Sequence, residues 1–408
     1  MRAYERLLRY VCIHTASDET SETLPSTDRQ FDLARYLVKE MREIGIKDAR
    51  VDDSCYVYGT LPATPGYEDR VSLGFIAHLD TSPDFSGDKV KPLIWENYDG
   101  SDIRLKEDRI ISADMFPHLN DLKGKTLITA DGTTLLGADD KAGIADIMTL
   151  AEELINSDSP HGKISIAFTP DEEIGHGAEA LDLKAFGAEY AYTVDGGPAN
   201  EIEYDNFNAG AADFLISGKS VHPGEAKNKM INAALVAVEI VSMLPSAETP
   251  AHTEGKEGFY HLTGIEGNVD KAKVSFIIRD HSFELYEGKQ KTLDLIAKIL
   301  NEKYGEGTVT LSFREQYRNM KEKILPCMHL IDNAKEAIVE AGLTPVEIPI
   351  RGGTDGAQLS YRGLPCPNLG AGGYAFHGPY EHATVEGMDD AVRVLHGIVN
   401  RYAKQKEE

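Results

Sequence analysis

Residues 71–79 have the sequence VSLGFIAHL, a short apolar run typical of a buried strand. Two similar runs follow it, ISIAF at residues 164–168 and YAYTV at residues 190–194. Between the first two runs, residues 141–155 place apolar side chains at helical spacing. The order strand, helix, strand predicts an α/β domain whose sheet is covered by helices.

A different pattern begins near Phe207. A strand-like stretch leads to a helix, a loop rich in Glu, Thr, Gly and Pro, a strand, a second helix and a last strand. After the first stretch, the predicted elements are residues 232–244, 273–279, 283–303 and 308–313. This β-α-β-β-α-β-like order predicts a smaller α+β, ferredoxin-like unit inserted into the α/β domain. The expected division gives residues 1–207 and 321–408 to the α/β domain and residues 208–320 to the insert.

The sequence carries 42 Lys and Arg against 67 Asp and Glu, a formal net charge of −25 over 408 residues. A field of this sign repels phosphate backbones and anionic lipid, so we expect neither a nucleic-acid nor a membrane partner. Residues 1–17 predict an amphipathic helix rather than a signal peptide. The four Cys residues are scattered and form no C-x-x-C pair, which is typical of a reducing compartment. The expected location is therefore cytoplasmic.

Acidic and imidazole side chains follow the predicted strands or begin the predicted helix. They are His78 and Asp80 after the first strand, Glu172 and Glu173 after the second, Asp195 after the third, and Asp139 and Asp140 before the helix. Taken singly, an Asp before a helix is usually a cap, and a lone His is more often structural than a ligand. Ligands of open α/β sheets bind at the carboxyl ends of the strands, however. The convergence of these residues on that edge therefore predicts one site.

This mixture of imidazole and carboxylate groups is suited to two metal ions. It favours zinc, manganese or cobalt over magnesium or calcium. Three ligating carboxylates and one bridging hydroxide would neutralise two divalent ions, and a further carboxylate could then act as the general base of a hydrolysis. The spacing does not decide which of Glu172 and Glu173 is the base and which is a ligand.

Four motifs resemble the signatures of the M20 family of dinuclear zinc peptidases. They are His78-Leu-Asp80, GADDKAG at 137–143, TPDEEIG at 169–175 and TVDGG at 193–197. The resemblance covers nearly the whole chain. It includes NFN at 206–208, VHPG at 221–224, EGFYH at 257–261, IIRD at 277–280, IRGGTDGAQ at 350–358, GLPCPN at 363–368 and His377.

The resemblance implies a zinc-exopeptidase-like mixed sheet flanked by helices, and two Zn²⁺ per subunit, with Mn or Co as substitutes. It implies that Asp139 bridges the two ions through a carboxylate held by a cis peptide to Asp140. The remaining implied ligands are His78 and Asp195 for one ion and Glu173 and His377 for the other. Glu172 is the implied base, and Asp80 is implied to orient His78, a support that metal-bound imidazoles commonly require.

The resemblance also implies an activity: removal of the N-terminal residue from tripeptides through a metal-bridged hydroxide. The inserted unit would then be a lid and dimerisation domain, compatible with a homodimer, and its His222 would stabilise the oxyanion. Arg351 resembles the family arginine that binds a substrate carboxylate. Arg279 and Asn268 are further candidates for substrate binding.

Three alternatives remain open at this point. Another amide hydrolase of the same family, such as a dipeptidase, an aminoacylase or a carboxypeptidase, would carry the same metal motifs. A non-catalytic binding protein is disfavoured because it has no need of a spare base. A two-metal phosphoesterase is disfavoured because the sequence lacks clustered Arg and Lys for a phosphate.

Overall fold

The computed structural model describes residues 1–404, and the chain forms two compact units. The first unit contains residues 1–204, residues 322–348 and the described residues from Thr354 onward. The second unit contains residues 205–321 and the short segment 349–353. This segment is joined to residue 205 by a hydrogen bond from the Ile350 N–H to the Asp205 carbonyl, at 2.9 Å.

Ten α-helices occur in the described residues, and a majority of them lie in the first unit. They are α1 (Ala3–Tyr10), α2 (Gln30–Ile44), α3 (Ala138–Ile155), α4 (Leu183–Phe186), α5 (Ala233–Ser242), α6 (Phe283–Tyr304), α7 (Lys321–Ile324), α8 (His329–Glu340), α9 (Asp355–Tyr361) and α10 (Val385–Lys404).

The strands are numbered in the same way. They are β1 (Arg50–Val51), β2 (Val57–Leu61), β3 (Leu73–His78), β4 (Leu93–Trp95), β5 (Ile103–Arg104), β6 (Ile110–Ile111), β7 (Leu127–Thr129), β8 (Ile164–Thr169), β9 (Tyr190–Gly196), β10 (Glu201–Glu203), β11 (Asn208–Ser217), β12 (Phe259–Gly267), β13 (Lys271–Asp280), β14 (Val309–Tyr317), β15 (Val346–Glu347), β16 (Asn368–Gly370), β17 (Gly373–Tyr374) and β18 (His382–Thr384).

The first unit is built on an eight-stranded mixed sheet with the order β1-β2-β8-β3-β9-β16-β10-β15. At its centre, β3 pairs in parallel with both β8 and β9, so that Phe75 lies between Ile166 and Tyr192. Every residue of β3 and β8 is buried. This burial explains why both strands are continuous apolar runs, as is typical of strands covered on both faces. Helix α3 packs against β3 and β9, and the predicted α/β class is confirmed.

The second unit is a four-stranded antiparallel sheet with the order β12-β13-β11-β14, against which α5 and α6 pack. Along β13, buried residues alternate with more exposed ones, because the helices cover one face of the sheet. The chain order and the sheet order are those of the predicted ferredoxin-like fold. The strand β12 has no counterpart in the prediction, which placed a loop before residue 273.

Within residues 1–404, none of the helices is long and apolar enough to cross a membrane.

Candidate metal centre

The central strands of the first unit bring distant residues to one edge of the sheet. His78 is the last residue of β3, Asp195 lies near the end of β9, and Glu173 lies in the single 3₁₀ turn that follows β8. Because β8, β3 and β9 are adjacent and parallel, their carboxyl ends share this edge. Asp139 joins them from the first turn of α3, and His377 from the loop between β17 and β18.

The first cluster is formed around His78, whose side chain is buried. Its Nε2 lies 2.9 Å from Asp139 Oδ1 and 3.3 Å from Asp195 Oδ1. Its Nδ1 lies 3.0 Å from the Asp80 carbonyl oxygen. Since a carbonyl oxygen can only accept, Nδ1 is the donor in this bond. In the metal-free protein Nε2 also donates, to the Asp139 carboxylate, and it becomes a ligand atom only when it loses that proton.

The second cluster is formed around His377. Its Nε2 lies 2.9 Å from Glu173 Oε2 and 3.3 Å from Asp139 Oδ2. The His377 side chain is 43% exposed, whereas that of Glu173 is 4% exposed. The two oxygens of the Asp139 carboxylate therefore face two different histidines.

The donor set fits a pair of metal ions. Donor atoms of His78, Asp139 and Glu173 all lie within 4.8 Å of one another, as do those of His78, Asp140 and Asp195. Among residues 1–404, Glu173 Oε1 is buried and has no hydrogen-bond partner, so one carboxylate oxygen remains free to ligate. Imidazole and carboxylate together are ligands typical of zinc, manganese or cobalt.

Asp139 is better placed to bridge than its neighbour Asp140. The Asp140 oxygens accept hydrogen bonds from the backbone N–H groups of His78, at 3.2 Å, and Gly143, at 3.1 Å. The peptide bond between Asp139 and Asp140 is cis. Asp140 thus holds the backbone of the site, while the side chain of Asp139 faces both histidines.

Asp80 connects the first cluster with the turn after β8. It is fully buried, and its Oδ1 and Oδ2 accept the backbone N–H groups of Glu172, at 3.0 Å, and Glu173, at 3.3 Å. Asp80 Oδ1 also lies 3.4 Å from His78 Nδ1. One carboxylate thus contacts the ring of His78 and fixes the turn that carries both glutamates.

Burial and neighbouring charges shift the pKa values of the site carboxylates in opposite directions. Burial, and then the charge of Asp195, raises the pKa of Glu172 well above its usual range. Burial, and then the charge of Asp139, raises the pKa of Glu173 to about 8. Burial alone would raise the pKa of Asp139 too, but hydrogen bonds from His377 and His78 lower it below its usual range. A site that holds this many acids requires positive charge for all of them to ionise.

Sequence reasoning missed two buried carboxylates beside the site. Asp171 accepts hydrogen bonds from the Ser26 N–H and the Gln30 Nε2, and so ties the turn after β8 to the start of α2. Glu381, which follows His377 in the same loop, accepts the backbone N–H groups of Gly137 and Asp139. Asp171 lies inside the TPDEEIG motif, which was a usable signal. Glu381 has no comparable signal because its partners are backbone groups.

Two of the predicted substrate residues lie in loops of the second unit. His222 is exposed, and its Nδ1 accepts the Gly224 N–H at 3.2 Å. Its neutral ring therefore carries the proton on Nε2 and can donate from that atom. Asn268 lies in the turn between β12 and β13, where its Oδ1 accepts the backbone N–H groups of Asp270 and Lys271.

The two predicted arginines of the second unit already donate hydrogen bonds to protein oxygens. Arg279 is 9% exposed, and its Nη1 donates to the carbonyls of Gly210 and Ile278. Arg351 donates from Nη1 to the carbonyls of Gly255 and Glu257. It also donates from Nη2 to Thr253. To bind a substrate carboxylate with both Nη1 and Nη2, Arg351 would have to give up these hydrogen bonds to protein oxygens.

Comparison with known proteins identifies relatives of the whole chain. The family model described as peptidase family M20/M25/M40 matches residues 129–401. Peptidase T of Alkaliphilus oremlandii (strain OhILAs) is 51% identical over 404 residues, which cover 98% of this chain and 99% of the relative. Peptidase T of Clostridium perfringens (strain 13 / Type A) is 52% identical over 405 residues, which cover 99% and 100%.

Solved structures share the fold. The aminopeptidase PepT of Bacillus cereus ATCC 10987 has a TM-score of 0.77 and 23% identity, covering 99% of this chain and 98% of that one. The YXEP protein of Bacillus subtilis, described as a dinuclear metal binding peptidase from the M20 family, has a TM-score of 0.66 and 15% identity, covering 99% of both chains. These likenesses show that both units have counterparts in proteins of known structure.

Proposed function

The chain belongs to peptidase family M20/M25/M40 and is an aminopeptidase, and we propose that it is a zinc-dependent enzyme that releases the N-terminal residue of tripeptides. The observation that carries the proposal is the position of Asp139. Its two carboxylate oxygens face His78 and His377 at 2.9 and 3.3 Å, with a further carboxylate beside each histidine.

The proposed ligands form two sets that share Asp139. His78 and Asp195 would hold one zinc ion, and Glu173 and His377 the other. When bound, the two ions would polarise the scissile carbonyl and lower the pKa of a water molecule at the site. Their four positive charges would also offset the carboxylates that are crowded at this edge of the sheet.

Glu172 is the proposed general base. Burial raises the pKa of its carboxyl, an environment typical of groups that exchange protons near neutral pH. Its carboxylate would accept a proton from the attacking water and then give that proton to the amine nitrogen that leaves when the C–N bond breaks. Asp80 fixes the backbone N–H of Glu172, and we propose that it positions this base as well as His78.

Residues of the second unit are proposed to bind the substrate. His222 can donate from Nε2, which suits the developing oxyanion. Arg351 is proposed for the substrate carboxylate, and Arg279 and Asn268 for lesser contacts. A homodimer and a cytoplasmic location are part of the same proposal, and light scattering tests the first of them.

A panel of peptides tests the proposed function. The rates of hydrolysis of matched di-, tri- and tetrapeptides, each free and N-acetylated, are measured twice. The first measurement uses the enzyme after its metal has been removed, and the second uses the same enzyme after zinc has been restored. We expect turnover to return with zinc and to be highest for free tripeptides. Preference for N-acetylated substrates would instead favour an aminoacylase of the same family, and preference for free dipeptides a dipeptidase.

A further inference from the structure

Glu381 is a buried carboxylate that binds the backbone of the loop leading into α3. It is 1% exposed. Its Oε2 accepts the N–H groups of Leu136 and Gly137, both at 2.8 Å, and its Oε1 accepts the N–H of Asp139 at 3.0 Å. Three charge-assisted hydrogen bonds to one side chain make a strong and directional contact.

These bonds satisfy backbone N–H groups in the first turn of α3 and just before it. The first N–H groups of a helix have no intrahelical partner, and a negative charge is favourable at that end. Gly137 has a left-handed φ of 80°, and Asp139 has a non-helical ψ of 105°. The backbone at Asp139 thus departs from the helix, and the Glu381 carboxylate is what holds its N–H.

The same side chain connects two segments that carry proposed ligands. Glu381 follows His377 in the loop between β17 and β18, and its own N–H donates to the Gly378 carbonyl at 3.2 Å. From this loop its carboxylate reaches the backbone of Asp139. A movement of Glu381 would therefore change the position of His377 relative to Asp139.

We infer that Glu381 is a positioning residue that fixes the Asp139 carboxylate between His78 and His377 and so sets the affinity for the metal pair. This inference rests on the proposed metal ligands. Residues that support metal ligands from behind are typically worth 10- to 100-fold in metal affinity.

The test compares Glu381→Gln with Glu386→Gln. A Gln side chain has one oxygen and one NH₂ group, so it replaces one of the two accepting oxygens of Glu381 by a donor. In one orientation of the amide, this donor faces the Asp139 N–H. In the other orientation, it faces the N–H groups of Leu136 and Gly137. Glu386 is the matched control, because its Oε2 also accepts a backbone N–H, that of Thr126 at 2.8 Å, but it contacts no proposed ligand.

The measurement is zinc affinity, obtained by competition of the full-length, metal-free protein with a chromophoric chelator. We expect zinc to bind Glu381→Gln about 10- to 100-fold more weakly than the wild type, and Glu386→Gln to bind it as the wild type does. Wild-type affinity in Glu381→Gln, or an equal loss in both variants, would overturn the inference. A wild type that binds no zinc would overturn the proposed function itself.

Glu381→Asp is the second test variant, to be used if Glu381→Gln does not fold. This variant keeps the charge but shortens the side chain by one methylene, so that its carboxylate cannot keep all three hydrogen bonds. We expect its zinc affinity to lie between those of the wild type and Glu381→Gln. Affinity equal to that of the wild type would again contradict the inference.

Discussion

The Asp80 carboxylate accepts the backbone N–H of Glu172 at 3.0 Å, although the two residues are far apart in the chain. Asn at position 80 would place an NH₂ group against one of the two N–H groups that Asp80 now accepts. We expect Asp80→Asn to lower kcat about 10- to 100-fold, with little change in KM. Asp88→Asn is the control, since Asp88 is half-exposed and contacts His14. A kcat equal to that of the control would remove Asp80 from the mechanism.

Glu172 and Glu173 are adjacent, but we expect their substitutions to give different defects. Glu172→Ala should lower kcat about 100- to 10,000-fold, the range of a lost general base, while both zinc ions remain bound. Glu173→Ala should lose zinc, because it removes a proposed ligand. Turnover and zinc content of purified protein measure both effects, with the exposed Glu179→Ala as the control. Retained activity in Glu172→Ala would contradict its role as the base.

Zinc should stabilise the first unit against unfolding. In the metal-free protein, the crowded carboxylates of the site repel one another, and ions bound only by the folded state stabilise it. At a free zinc concentration 100 times the Kd, the expected gain is about 2.7 kcal/mol. Urea unfolding with zinc and with a chelator measures it. Coincident unfolding curves would show that no such site exists.

Zinc binding should release protons. In the metal-free protein, hydrogen bonds with Asp139 and Glu173 raise the pKa of His377 to about 11, so its ring is charged at neutral pH. A ligand must be neutral, and the ring therefore loses a proton when zinc binds. Apparent affinity should rise about tenfold per pH unit for each proton released. Chelator competition at different pH values tests this, and equal affinities at pH ~6.5 and ~8.5 would contradict it.

Substitution by Ala at two helical glycines should change the stability of the protein in opposite directions. A Cβ on Gly143 would lie 1.8 Å from the Val194 carbonyl oxygen, which is backbone and has little room to move. We expect Gly143→Ala to destabilise the protein by about 3 kcal/mol or more. Among residues 1–404, nothing lies within 4 Å of a Cβ placed on Gly288, so Gly288→Ala should stabilise α6 by about 1 kcal/mol. Urea unfolding distinguishes them, and equal stabilities would refute the packing argument.

The central strands, and the grouping of the candidate ligands at one edge of the sheet, could be predicted from sequence for a shared physical reason. The strands β3 and β8 are buried along their whole length, so their sequences are apolar without interruption. His78 and Asp195 then stand out as polar residues at the ends of apolar runs. Strand β12 was not predicted, because most of its residues are exposed and apolar and polar residues alternate only weakly in its sequence, FYHLTGIEG.

Other features depend on contacts that leave no mark in a single sequence. The segment 349–353 belongs to the second unit through backbone hydrogen bonds such as that of Ile350. Glu381 likewise acts on backbone N–H groups, which every residue except Pro carries. Neither could be found from residue types and spacing, because the partner residues have no required side chain.

The order of the proposed ligands along the chain has a consequence for biosynthesis. His78, Asp139, Glu173 and Asp195 all precede the second unit, whereas His377 follows it. Because a chain emerges from the ribosome from its N-terminus and its domains fold as units, the whole second unit can fold before His377 exists outside the ribosome. The proposed metal pair could therefore be completed only after the last part of the chain has emerged, and a ribosome-stalled chain ending before residue 377 would lack part of the second cluster.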